Sequence, residues 1–73
     1  MKRYYFLLNA KDAGSVYDWF TTTEFKSKAA VKRAVSSETV RVVKVLTEEE
    51  MSMEMGNGWM RRAHTWKGTW AFA

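Results

Sequence analysis

The pattern of hydrophobic and polar positions changes period several times along the chain, and each change marks a different element. Residues 4–8 are aromatic or apolar throughout, which is typical of a central strand buried on both faces. Residues 16–22 are rich in β-branched and aromatic side chains and predict a second strand. Residues 9–15, which contain Gly14, have the composition of a turn. The first two strands are therefore predicted to form an antiparallel hairpin.

The next segment changes to a helical period. Ser27 or Thr23 can cap the start of this helix, because a short hydroxyl accepts a hydrogen bond from a free backbone amide. A helix of only about ten residues is not stable alone, so we expect a sheet to hold it. Four small apolar residues share one stripe of the predicted helix: Ala30, Val31, Ala34 and Val35.

The second half of the chain predicts strands only. Residues 40–46 are rich in valine, and residues 48–55 alternate between polar residues and methionine, as a strand with one buried face would. Gly56-Asn57-Gly58 then predicts a type I′ turn, because Asn and Gly tolerate the positive φ that both central positions need. Residues 66–72 supply a last short strand.

These elements predict an α+β fold in the order β-β-α-β-β-β. The simplest packing is a twisted antiparallel sheet of four to five strands with one short helix on one face. The other face is expected to be solvated or to cover a partner. With 73 residues, we treat 1–73 as a single domain.

Composition excludes several classes of protein. The chain has no cysteine, no apolar run near the roughly 20 residues of a membrane span, and an apolar start too short for a signal peptide. We therefore expect a protein of a reducing cytoplasm, without disulfides or a thiolate metal site.

Charge favours a polyanionic partner. The chain carries 12 basic and 8 acidic residues, a net charge of +4. Residues 1–47 hold nine basic and four acidic groups, whereas residues 48–73 hold three and four, so the excess lies in the first part. Such a balance steers nucleic acid or an acidic protein face toward the chain, and argues against mimicry of DNA.

No residue pattern indicates catalysis. There is one histidine, His64, no cysteine nucleophile, no G-x-S-x-G motif, and no glycine-rich phosphate loop before a helix. We therefore expect no enzymatic activity, no cofactor and no metal site.

Basic and aromatic residues give the positive signal for binding. Lys28 and Lys32 lie four residues apart on the predicted helix, and the chain holds 11 aromatic residues, more than so small a core needs. Some rings are therefore expected to be partly exposed, among Tyr17, Trp19, Trp59, Trp66 and Trp70. An ordinary solvated helix face and an ordinary tryptophan-rich core remain open as alternatives. The predicted partner-binding residues are Lys28, Lys32, Arg33, Trp59, Arg61, Arg62 and Trp66.

The order of elements resembles that of small phage-encoded anti-CRISPR proteins that inhibit type I surveillance complexes. It is most similar to a type I-F inhibitor built as a curved antiparallel sheet with one helix. The likeness rests on three features. Met1-Lys2 leads into an aromatic strand, and a threonine-rich second strand leads into a helix with Ala30, Lys32-Arg33 and Ala34. Near the end, Gly58-Trp59 is followed by Lys67-Gly68 and Trp70.

The resemblance implies inhibition by contact. Such proteins bind the backbone subunits of the guide-RNA complex and block the path of target DNA. The residues here that fit this role are Lys28, Lys32, Arg33, Arg61 and Arg62. Two alternatives stay open. One is direct nucleic-acid binding, with bases stacked on a basic, aromatic sheet face, and the other is a homo-oligomeric structural module, so the chain is a monomer or a homodimer.

Overall fold

The computed structural model describes residues 2–11, 14 and 16–66. Its elements follow the order β-β-α-β-α-α-β, so the α+β class predicted from the sequence is confirmed. The strands are β1 (Tyr4–Ala10), β2 (Val16–Thr22), β3 (Val40–Thr47) and β4 (His64–Thr65). The helices are α1 (Lys28–Val35), α2 (Glu48–Glu54) and α3 (Asn57–Arg62). None of these three helices combines the length and the apolarity needed to cross a lipid bilayer.

The four strands form one sheet in the order β3-β1-β2-β4. The central strand β1 pairs antiparallel with β2 and with β3, so the predicted hairpin of the first two strands is confirmed. Phe6 of β1 lies opposite Phe20 of β2 and Val45 of β3. The short β4 pairs with β2 in parallel. The sheet is therefore mixed, whereas the sequence predicted a purely antiparallel one.

Helix α1 packs on one face of the sheet through Val31 and Val35. It begins after Ser27, one of the two predicted caps, and the Ser27 Oγ accepts a hydrogen bond from the Ala30 N–H at 3.1 Å. This bond satisfies one of the free amides of the first turn. The buried side chains on this face form the α1-side core: Tyr4, Phe6, Leu8, Phe20, Val31, Val35, Val40 and Val42.

Helices α2 and α3 form a hairpin that covers the opposite face. Alternate side chains of a strand point to opposite faces, so Tyr5 of β1 lies on the far side from Tyr4 and Phe6. Half-buried Met55 and Met60 pack against this second core. The prediction that the second face would be open was wrong for this part of the sheet. The α2–α3-side core consists of Tyr5, Trp19, Leu46 and Met51.

The strand predicted over residues 48–55 is helix α2. Thr47 and Glu50 form a capping box: the Thr47 Oγ1 accepts from the Glu50 N–H at 3.2 Å, and the Glu50 Oε1 accepts from the Thr47 N–H at 2.9 Å. This reciprocal pair favours a helix start. Met51 and Met55, one helical turn apart, face the core, whereas Met53 is 87% exposed. The alternation of methionines was therefore misleading.

Gly56-Asn57-Gly58 does not form the predicted type I′ turn. Such a turn needs positive φ at Asn57 and Gly58, but both belong to helix α3. The positive φ, 83°, lies at Gly56, which ends α2 and redirects the chain into α3. Because the two flanking segments are helices, the cross-strand pairs that a hairpin around this turn would make, such as Glu54 with Arg61, do not form.

The strand predicted over residues 66–72 lies outside the described residues beyond Trp66. Trp66 itself follows β4, and its N–H donates to the Thr21 carbonyl at 2.9 Å. Its ring packs against the α1-side core. The end of the described chain is therefore held beside β2.

Candidate partner-binding surfaces

The sheet separates the seven predicted binding residues into two groups. Three of them lie on α1, and Trp66 packs on the same side of the sheet. The other three lie on α3, which packs on the opposite side. The predicted binding residues therefore do not form one continuous basic and aromatic face. The α1 group is Lys28, Lys32, Arg33 and Trp66, and the α3 group is Trp59, Arg61 and Arg62.

Lys28 is engaged within the molecule. Its Nζ lies 2.6 Å from the Glu50 Oε1, so this ion pair joins the start of α1 to the start of α2. The hydrogen bond from Lys28, followed by the bond from the Thr47 N–H, lowers the pKa of Glu50 below its ordinary value. Lys28 is therefore already paired within the molecule, and a partner would have to replace Glu50 in order to bind it.

Lys32 and Arg33 are exposed in the last turn of α1. Neither takes part in an ion pair with any residue that the structure describes. Part of their effect is local, since cations near a helix C-terminus interact favourably with its dipole. The charges nonetheless point outward and carry no acidic neighbour within α1.

A shallow cleft of about 230 Å³ lies beside these charges. Its lining combines apolar and basic groups, because Phe25, Ala30 and Ala34 adjoin Arg33. Phe25 is fixed from behind by Trp66, whose ring centroid lies 5.5 Å away at an interplanar angle of 47°. We call Phe25, Ala30, Lys32, Arg33 and Ala34 the α1 surface. The sequence predicts the basic residues of this surface but not its cleft.

The α3 group forms a second, separate feature. The Trp59 ring is 40% exposed, and the Arg62 guanidinium lies over it, 5.8 Å from the ring centroid. Arg61 is exposed beside them. A cation over an aromatic face is attracted by the ring quadrupole, so the pair is held in a defined position. We call Trp59, Arg61 and Arg62 the α3 ridge.

A groove of about 420 Å³ runs along the outer side of α2 next to α3. Met53 and Met60 supply its apolar surface, and two exposed carboxylates, Glu48 and Glu49, lie at its wall together with Ser52. We call these five residues the α2 groove. It was missed because it exists only if residues 48–54 are helical. The signal that could have found it is the Thr-x-x-Glu capping pattern that starts at Thr47.

The remaining rings of the sheet are not available for stacking. Trp19 is 5% exposed, and Tyr4, Tyr5, Phe6 and Phe20 are equally buried. Among the described sheet residues, Tyr17 is the aromatic side chain that stays open, at 56%. Among the described sheet residues, the base stacking that the nucleic-acid alternative needs is therefore limited to Tyr17. Trp70 lies outside the described residues.

His64 has a structural position. Its Nε2 lies 2.8 Å from the Asp18 Oδ2, and its ring packs on Phe20 at 5.3 Å between centroids. These contacts hold the two-residue β4 against β2. Within residues 2–11, 14 and 16–66, no three acidic or histidine side chains are grouped to hold a metal ion.

Another cleft lies at the end of the sheet where β1 begins. It has a volume of about 560 Å³ and is lined by side chains of both signs: Lys2, Arg3, Thr23, Thr47, Glu48 and Glu49. Arg3 is partly engaged, because its guanidinium donates to the Thr21 Oγ1 at 3.1 Å. The mixed lining gives this cleft no preference for one charge.

Comparison of the chain with protein-family models, with curated proteins and with solved structures finds no match. The geometry of the α1 surface, the α3 ridge and the α2 groove is therefore the basis for assigning a function.

Proposed function

We propose that this protein is a non-enzymatic binding protein that docks through the α1 surface on an acidic or nucleic-acid-contacting face of a bacterial ribonucleoprotein. The partner class comes from the resemblance described above. It is the guide-RNA surveillance complex of a type I CRISPR-Cas system, whose path for target DNA the bound protein would block.

One observation carries this proposal: Lys32 and Arg33 are exposed and lack acidic neighbours within α1, and Arg33 adjoins an apolar cleft. Charges of one sign steer a partner of opposite sign, and arginine adds charge-assisted hydrogen bonds once contact is made. The apolar cleft supplies area that can be removed from water at the same place.

The small side chains of α1 add to this argument. Ala30 and Ala34 line the cleft, and Ala29 is exposed on the same helix. At these alanine positions a partner backbone can approach closely, because no long side chain has to be displaced. The side-chain entropy that docking costs is therefore confined to the long side chains of the contact, Lys32 and Arg33.

The test uses a purified type I-F surveillance complex and measures its binding of target DNA as the protein is added. We expect inhibition by the unmodified chain, and inhibition weakened at least about tenfold, or about 1.4 kcal/mol, by the pair Lys32→Glu and Arg33→Glu. The control pair is Lys11→Glu and Arg41→Glu. It makes the same change in net charge at exposed positions outside the α1 surface.

Three results would contradict the proposal. One is the absence of any binding to the surveillance complex, and another is equal weakening by both pairs of variants. The third is tight binding to free oligonucleotide with an affinity that falls linearly with salt on logarithmic axes, since that slope reports displaced counterions. The third result would replace the proposal with direct nucleic-acid binding.

A further inference from the structure

The outer side of the α2–α3 hairpin carries more unpartnered groups than the monomer explains. Met53 is 87% exposed in the α2 groove, and Trp59 is 40% exposed on the α3 ridge beside it. Exposed apolar groups that lie together, rather than singly, mark interaction sites. The hairpin therefore offers a concave apolar feature and a convex one side by side.

The charges of the two features are opposite. The α2 groove carries the carboxylates of Glu48 and Glu49, and the α3 ridge carries the guanidinium groups of Arg61 and Arg62. The ion pairs in the described part of the chain join other residues, so these four charges do not neutralise one another within the monomer. The two features are thus complementary in charge, and neither neutralises the other within the same chain.

We propose that the occupant of the α2 groove is a second copy of this chain, in a two-fold symmetric dimer. The α3 ridge of each copy enters the α2 groove of the other. Trp59 packs against Met53 and Met60 of its partner, and Arg61 and Arg62 pair with the partner's Glu48 and Glu49. An isologous interface needs a self-complementary patch of this kind, and each contact is made twice.

The charge pattern favours a second copy over other occupants. Glu48 and Glu49 repel phosphate groups, which argues against nucleic acid or an anionic lipid surface in the groove. What the groove fits is a short basic helix with a large apolar anchor, and the chain itself supplies one in α3. Tryptophan and arginine are also the residues that contribute most to interface energy.

The proposed dimer is independent of the function proposed above. It uses α2 and α3, which cover one face of the sheet, whereas α1 covers the other. Both copies of the α1 surface therefore remain accessible on the outside of the dimer. Failure of either proposal leaves the other standing.

The test is the molar mass in solution, measured by sedimentation or light scattering from micromolar to millimolar concentration. We expect the mass to rise from 8.5 kDa toward twice that value. Two charge-reversed chains, one with Glu48→Lys and Glu49→Lys and one with Arg61→Glu and Arg62→Glu, should each remain monomeric. An equimolar mixture of the two should dimerise again, because every contact then joins opposite charges.

Two further chains complete the test. The chain with Lys32→Glu and Arg33→Glu has the same change in net charge as the chain with Arg61→Glu and Arg62→Glu, but on the α1 surface. It should dimerise like the unmodified chain. Met53→Lys should raise the dimer dissociation constant at least about tenfold. It also repeats the test if a charge-reversed chain melts early, because the Met53 side chain lies outside the monomer core.

Four outcomes would overturn the proposed dimer. The first is a mass that stays at 8.5 kDa at every concentration, and the second is dimerisation that the charge reversals and Met53→Lys leave unchanged. The third is an equimolar mixture of the two charge-reversed chains that fails to restore association, and the fourth is association that appears only when oligonucleotide or anionic vesicles are added.

Discussion

The two faces of the sheet are covered in different ways. On one face, α1 and the sheet together enclose eight buried side chains of the described chain, among them Phe6 and Phe20. On the other face, the α2–α3 hairpin and the sheet together enclose four, among them Trp19 and Met51. Stability increases with the apolar area that is removed from water. We therefore expect the α1-side core to contribute more to the stability of the fold, and the α2–α3 hairpin to be the less stable part.

This difference separates stability from association. On the α1 side, the sheet-facing residues Val31 and Val35 are buried, and only charge and small side chains face outward. On the hairpin side, Met53 and Trp59 are turned outward although the core beneath is small. A small domain gains by burying such groups. An apolar surface kept open over the weaker core is therefore best explained by a contact outside the monomer.

The largest expected effect is Phe6→Ala. Phe6 is fully buried in the α1-side core, and such a truncation costs about 3–5 kcal/mol. A domain of this length is stable by only about 4–11 kcal/mol, so a large part of the stability is lost. We expect the thermal transition seen by circular dichroism to fall steeply or to disappear.

Met51→Ala sharpens the comparison, because Met51 is equally buried in the other core. It should cost about 2–5 kcal/mol. Amide exchange should rise mainly in α2 and α3, while β1 and β3 stay protected. Uniform loss of protection across the whole chain would show that the two faces unfold as one unit. The two cores would then not differ in local stability.

A smaller effect is expected at the two helix caps. Thr47→Ala removes the hydroxyl that accepts from the Glu50 N–H and should cost about 1 kcal/mol, measured by thermal or urea denaturation. Ser27→Ala removes the matching bond of α1. We expect a smaller loss there, because α1 has a larger core beneath it and lacks the reciprocal bond of the capping box. Equal losses would contradict this ranking.

An element could be predicted from the sequence where its hydrophobic period, its length and its capping residues indicate the same structure. β1, β2, α1 and β3 were predicted because their hydrophobic period and their length agree. In residues 48–55 a period of two among the methionines competed with the capping pattern of Thr47 and Glu50, and the cap decided the structure. Helix α3 has six residues, too few to display a helical period, and it contains Gly58.

The candidate surfaces were predicted in composition but not in arrangement. The basic residues of α1 could be predicted because Lys28 and Lys32 lie four residues apart on a helical pattern, and the Trp59, Arg61 and Arg62 group because tryptophan and arginine are enriched at binding interfaces. Their separation onto two faces depends on the path of the chain between residues 47 and 64, which the sequence period misjudged. The α2 groove could not be predicted without helix α2.

The smallest expected effect is a pH dependence at the link between the two sides. In the fold, Lys28 and the Thr47 N–H lower the pKa of Glu50 below its ordinary value of 4.5. A carboxyl whose pKa is lowered by folding stabilises the fold fully above the unfolded value, and this contribution is lost as the pH falls through the folded value.

The measurement is the difference in unfolding free energy between the unmodified chain and Glu50→Gln, taken from neutral pH downward. Both chains keep an oxygen that can accept from Thr47, so the difference isolates the charge. It should stay constant down to about pH 4.5, shrink below it, and be smaller in high salt because both partners of the ion pair are half exposed. Lys28→Ala should reduce the difference without removing the cap. A difference near zero at neutral pH would mean that the two sides are joined there by the geometry of the capping box, which both chains keep, and not by charge.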